Sequence, residues 1–166
     1  MKRISSSRKV WLSALAIVVI LLFAAWFAGF RFNATPSLPV GVYKISPGTP
    51  QKGDLVAFCL GGKAARLAAE REYLHFGSCS NGLRPLLKRL AGMPGEQMDF
   101  DSLIFQAMDS EARAMPLALH TGIIPDGMGL VLSEHPGSFD SRYFGFVPLE
   151  KLQRVEPVYL FDSKGN

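Results

Sequence analysis

Residues 10–30, VWLSALAIVVILLFAAWFAGF, form a run of 21 residues without a charge. As a helix, about 20 such residues span roughly 30 Å, the thickness of a bilayer's hydrocarbon core. The run therefore predicts a transmembrane helix, and whatever follows it must fold beside a membrane. Trp11 near one end and Trp26 and Phe30 near the other suit the two interfaces, where aromatic rings concentrate. A cleaved signal peptide is the competing reading. It would show an apolar stretch of only about 7–15 residues followed by a small-x-small cleavage site. The longer run, interrupted near its end by bulky Trp26 and Phe27, favours a retained anchor. Lys2, Arg3, Arg8 and Lys9 precede it, and the positive-inside rule assigns them to the cytoplasm. The expected organisation is a basic cytoplasmic tail (1–9), a transmembrane helix (10–30) and an extracytoplasmic domain (31–166), single-pass in the cytoplasmic membrane with membrane lipid as a standing partner.

The chain carries 18 lysines and arginines against 14 acidic residues, for a net charge of +4. The excess is the short tail, and the charges after residue 30 cancel. No basic stripe with interleaved aromatics exists, so nucleic acid is not an expected partner. The two cysteines form no Cys-x-x-Cys pair and the three histidines are scattered, so no metal site is expected. In an oxidising compartment Cys59 and Cys79 either close a loop of about 20 residues through a disulfide, worth roughly 3 kcal/mol, or remain two separate buried thiols.

Beyond residue 30 the pattern is short and turn-rich, with 16 glycines and 11 prolines in the chain. Leu55–Phe58, Leu86–Leu90, Gly129–Ser133 and Val155–Phe161 read as strands, the last an edge strand because Pro157 lies inside it. Gly92-Met93-Pro94-Gly95 and Pro125-Asp126-Gly127 read as turns. Residues 63–74 (KAARLAAEREYL) predict the one soluble helix, between the cysteines, and 97–107 predicts a hairpin. The domain is expected to be mainly β and single, since 166 residues cannot fill two large cores.

Three segments carry chemistry together. Thr35-Pro36-Ser37-Leu38-Pro39-Val40-Gly41-Val42-Tyr43 resembles the Ser-x-Pro-x-Gly-x-Tyr nucleophile motif of the conjugative transfer signal peptidases (the TraF type). Lys88-Arg89-Leu90-Ala91-Gly92-Met93-Pro94-Gly95-Glu96 resembles the Lys-Arg-x-x-Gly-x-Pro-Gly-Asp box around the lysine base of signal peptidase I. Ser138-Phe139-Asp140-Ser141-Arg142-Tyr143-Phe144-Gly145 resembles the closing Ser-x-Asp-Ser-Arg-Tyr-x-Gly box. The boxes follow the family's order behind an N-terminal anchor. Glu96 stands where Asp is commoner, the stretch before the closing box is reduced to Ser133–Gly137, and large insertions are missing. These features fit the smaller conjugative branch.

The resemblance implies a signal peptidase/LexA-like β fold behind one transmembrane helix, with the catalytic domain in the periplasm. It implies Ser37 as nucleophile, Lys88 as general base, and an oxyanion hole from the Ser37 backbone N–H and the Thr35 hydroxyl. Ser138 would orient the amine, and Asp140 and Arg142 would form a supporting ion pair. The residues themselves suit these roles. A serine hydroxyl needs a partner to take its proton, and a lysine serves only when burial strips its own. Lys88 sits among Leu86, Leu87 and Leu90, while Arg89 would point to the opposite face of a strand. Ser37 follows Phe30 by seven residues, at most about 25 Å of extended chain, so it would act near the membrane. The implied reaction is cleavage of membrane-inserted precursors at small-residue sites, with a pilin-like substrate and cyclisation as a chemically open outcome. A general type I leader peptidase and a catalytically silent pilus assembly factor are the alternatives.

Overall fold

The computed structural model describes residues 6–34 and 38–161. The start of the basic tail, Thr35, Pro36 and Ser37 lie outside the described residues. Helix α1 (Ser6–Phe27) is followed almost at once by strand β1 (Phe30–Asn33). Its stretch Ser7–Phe27 is long and apolar enough to cross a membrane. No part of the domain covers it, and Trp11, Ile20 and Phe27 are 65–76 % exposed. A helix apolar on every face is suited to lipid.

The remaining strands are β2 (Gly41–Ile45), β3 (Leu55–Phe58), β4 (Leu86–Gly92), β5 (Gln97–Met98), β6 (Gly122–Ile123), β7 (Met128–Leu132), β8 (Val147–Pro148) and β9 (Gln153–Leu160). Seven of the nine strands among the described residues form one curled antiparallel sheet in the order β1-β2-β9-β3-β4-β7-β8. This is the mainly β architecture, behind one apolar helix, that the sequence predicts. Gly41 is required by a close approach in this sheet: a Cβ there would sit 2.4 Å from the Tyr159 carbonyl oxygen.

Helix α2 (Gly62–Glu70) lies between the cysteines, which the structure joins in a disulfide. It is shorter than the expected 63–74. Glu72 takes a left-handed φ of 58°, and Tyr73 N–H and Glu72 N–H return to the carbonyls of Ala68 and Ala69. That pair of bonds is the Schellman ending, here built on a non-glycine residue. Ala65 and Ala68 pack into the larger core with Val56, Phe58, Leu86, Leu90, Val131 and Tyr143.

Two further expectations fail. Residues 97–107 form no hairpin: β5 pairs instead with β6, more than twenty residues on, and the intervening chain makes a long excursion. A two-residue strand carries too little local pattern to choose its partner. Strand β9 is not an edge but lies between β2 and β3. The proline nevertheless finds an edge-like place. β3 pairs β9 only over Gln153–Val155, whereas Pro157 faces β2 alone, beside a register shift. The missing N–H falls where no ladder needs it.

Candidate active site

Lys88 occupies a core position. Along β4 the side chains of Leu86, Lys88 and Leu90 face inward, while Arg89 faces solvent. The strand's period of two puts the amine where a leucine would otherwise sit, and Lys88 is 2 % exposed. Burial pushes its ammonium down from lysine's ordinary 10.5 to about 8; Asp140 opposes the shift and Arg142 adds to it. The amine donates a hydrogen bond to the Ser138 hydroxyl, fifty residues away in sequence.

The segment from Ser138 to Gly145 is organised around that bond. Asp140, 0 % exposed, caps the short helix α3 (Ser141–Phe144) by accepting from the Arg142 N–H at 3.1 Å. Its carboxylate also accepts from Arg142 Nε at 2.8 Å, Arg142 Nη2 at 2.6 Å and the Ser133 N–H at 3.0 Å. The guanidinium goes on to the carbonyls of Ile104 and His135. The Ser141 hydroxyl accepts from the Val131 N–H at 3.0 Å, and the Tyr143 hydroxyl from the Gln106 N–H at 2.9 Å. Gly145 ends the helix at φ 86°, a conformation a side chain would strain. The box thus staples β7, the 104–106 chain and the Lys88 strand together. Every buried side-chain polar atom among the described residues has a partner.

Ser37 and Thr35 are outside the described residues, but the chain on either side of them is held firmly. The Asn33 side-chain amide donates to the carbonyls of Leu38 and Pro39, both at 3.2 Å, and the Tyr43 hydroxyl donates to the Pro39 carbonyl at 2.7 Å. Asn33, Ala34 and Tyr43 line the same groove of about 1380 Å³ as Lys88 and Ser138. That groove also reaches Trp26 at the end of α1 and Phe30 at the start of β1. Sequence reasoning singled out Lys88, Ser138, Asp140 and Arg142, and the structure gathers these four. It assigned no role to Asn33, nor to Tyr43, Ser141 and Tyr143 although these three stand in the motif boxes; their partners are backbone groups that only the fold brings to them.

Among the described residues, no group of three or more histidines, cysteines or acidic residues is placed to hold a metal ion. The chemistry on offer is that of a weakly basic amine, buried and oriented at the floor of an open groove.

Comparison with known proteins agrees with this geometry. Residues 6–107, more than half of the chain, match the family described as signal peptidase, peptidase S26. The conjugal transfer protein TraF of Agrobacterium tumefaciens is 33% identical, over 89% of this chain and 92% of its own. A probable conjugal transfer protein TraF of Sinorhizobium fredii is 35% identical over 75% and 73% of the two chains, and the plasmid transfer protein TraF of Escherichia coli 31% identical over 85% and 89%. A buried lysine in a β groove, an apolar N-terminal helix and these likenesses converge, and the chain belongs to the signal peptidase S26 family of serine peptidases.

Proposed function

We propose that the chain is a membrane-anchored endopeptidase in which Ser37 is the nucleophile and Lys88 the general base. The observation that carries this reading is the Lys88 amine, buried beneath the groove and held by Ser138. With a pKa of about 8, roughly a tenth of the amines are neutral at pH 7, against about 4 in 10,000 for a free lysine. The neutral amine takes the Ser37 proton as the oxygen bonds to the scissile carbonyl carbon. The Ser37 backbone N–H and the Thr35 hydroxyl receive the developing oxyanion. Collapse of the tetrahedral intermediate breaks the C–N bond, and Lys88 returns its proton to the departing amine. Water, or an amine in a cyclising reaction, then resolves the ester. Asp140 and Arg142 hold the Ser138 segment in place without transferring protons.

The groove's reach from Trp26 to Lys88 supports a substrate that is itself in the membrane: a precursor emerging beside α1 can lie along it. The basic tail then stays in the cytoplasm and the sheet domain lies in the periplasm. The relatives named for conjugal and plasmid transfer support a role in conjugation, with a pilin subunit carrying small residues at the cut as the substrate. The test is the mass of a pilin precursor co-expressed with this protein. Ser37→Ala and Lys88→Met are each expected to leave it full-length while the enzyme still folds and inserts. A shortened pilin with either variant overturns the assignment, and processing of many unrelated precursors by the wild type replaces pilin maturation with general leader cleavage.

A further inference from the structure

One wall of the groove is closed by a polar cluster that the mechanism above does not use. Asp109 lies on the excursion between β5 and β6, its side chain only 5% exposed. One carboxylate oxygen accepts the backbone N–H groups of Glu111 and Arg113, both at 2.9 Å, and so folds residues 109–113 into a turn. The other accepts from Arg113 Nε at 2.7 Å and from the Tyr73 hydroxyl. Tyr73 belongs to the disulfide-closed segment just after α2, so this bond joins two separate parts of the chain. Arg71 strengthens the joint by donating to the Ala114 carbonyl at 2.9 Å.

The joint leads to the catalytic lysine. The Tyr73 ring packs on Phe139 with centroids 5.2 Å apart, and Phe139 adjoins Ser138, the partner of Lys88. Tyr73, Asp109, Met115 and Phe139 line the groove that holds Lys88. The Asp109 carboxyl is held well below the usual carboxylate range: burial acts to raise it, but the Tyr73 and Arg113 hydrogen bonds outweigh that. The Asp109 carboxyl of the clasp is thus charged at neutral pH.

We propose that Asp109 is a positioning residue whose hold on Tyr73 fixes this wall, and that the wall limits the size of the substrate side chain accepted beside Lys88. The inference rests on the peptidase reading and adds the device that sets its selectivity. Without the clasp, Tyr73 and the 109–113 turn separate, the groove widens, and bulkier side chains fit. Pocket discrimination of this kind amounts to about 10- to 200-fold per methylene-sized difference.

Two peptidyl phosphonates test it, one with a methyl and one with an isobutyl group at the position next to the reactive phosphorus. Each displaces its leaving group on reaction with a serine oxygen, and intact-protein mass gives the labelling rate. Wild type should label at Ser37 and prefer the methyl probe. Asp109→Ala should shift the isobutyl-to-methyl rate ratio about tenfold upward. Tyr73→Phe, which keeps the ring on Phe139 and removes only the hydroxyl, should shift it in the same direction and decides the matter if Asp109→Ala does not fold. A merely structural role would lower both rates alike, and an unchanged ratio in the folded variants overturns the inference. Labelling of the wild type that does not depend on Ser37 overturns the peptidase reading and the inference with it.

Discussion

Two of the aspartate–arginine pairs among the described residues have nearly the same separation and different standing. Asp140 and Arg142 lie beneath the groove, their side chains 0% and 6% exposed at 2.6 Å. Asp109 and Arg113 lie at its wall, 5% and 32% exposed at 2.7 Å. In the first, both ions are out of water and the arginine's other donors end on backbone carbonyls. Neither ion can be lost without stranding the other. In the second, the arginine keeps contact with solvent, and what the aspartate organises is a turn and one tyrosine. An ion pair's chemistry therefore does not fix its job. Burial of the partner decides whether the pair is part of the framework or an adjustable joint.

That contrast is sharpest in the response to truncation. Asp140→Ala leaves a guanidinium buried and unpaired and should cost about 3–5 kcal/mol, a large share of a domain's stability. Urea unfolding of the detergent-solubilised protein measures it. Asp109→Ala should move the unfolding midpoint less than Asp140→Ala does, and equal midpoints would erase the distinction.

Lys88→Met should act in the opposite direction on stability. Unfolded, the amine keeps its proton up to about pH 10.5; folded, it gives it up above about 8. Between those values the folded chain binds fewer protons, so the native state gains stability as pH rises through the window. Below pH 8 the buried amine costs at most roughly 3 kcal/mol, which methionine removes. The variant should thus unfold at a higher urea concentration than wild type at pH 7, with the gain shrinking toward pH 10. A destabilised Lys88→Met at pH 7 would mean that the amine's bond to Ser138 outweighs its dehydration. The smallest effect belongs to the neighbouring Arg89, which faces solvent with Glu134 at 3.8 Å. Arg89→Ala should stay within about 0.5 kcal/mol of wild type and leave Ser37 labelling unchanged.

The same contrast marks what could be read from the sequence. The Lys88 strand was legible because its alternation is local: Leu86, Lys88 and Leu90 share a face whatever the rest of the fold does. Asp140 and Arg142 were legible because both stand in one motif box, a single residue apart. The Asp109 clasp was not, because its tyrosine partner is 36 residues away and meets it only after the β5–β6 excursion folds back. The end of α2 was misplaced because Glu72 adopts a left-handed turn that its side chain does not advertise. The interior place of β9 was missed because a proline argues for an edge, and only the unequal lengths of β2 and β3 reconcile the two.

The central claim is that Lys88 gives up its proton near neutral pH and serves Ser37. The pH dependence of phosphonate labelling at Ser37 tests it most directly. The rate should climb about tenfold per pH unit below 8, level off above about 8, and vanish in Lys88→Met. A rate that still climbs at pH 10, or that survives loss of the lysine, would contradict it.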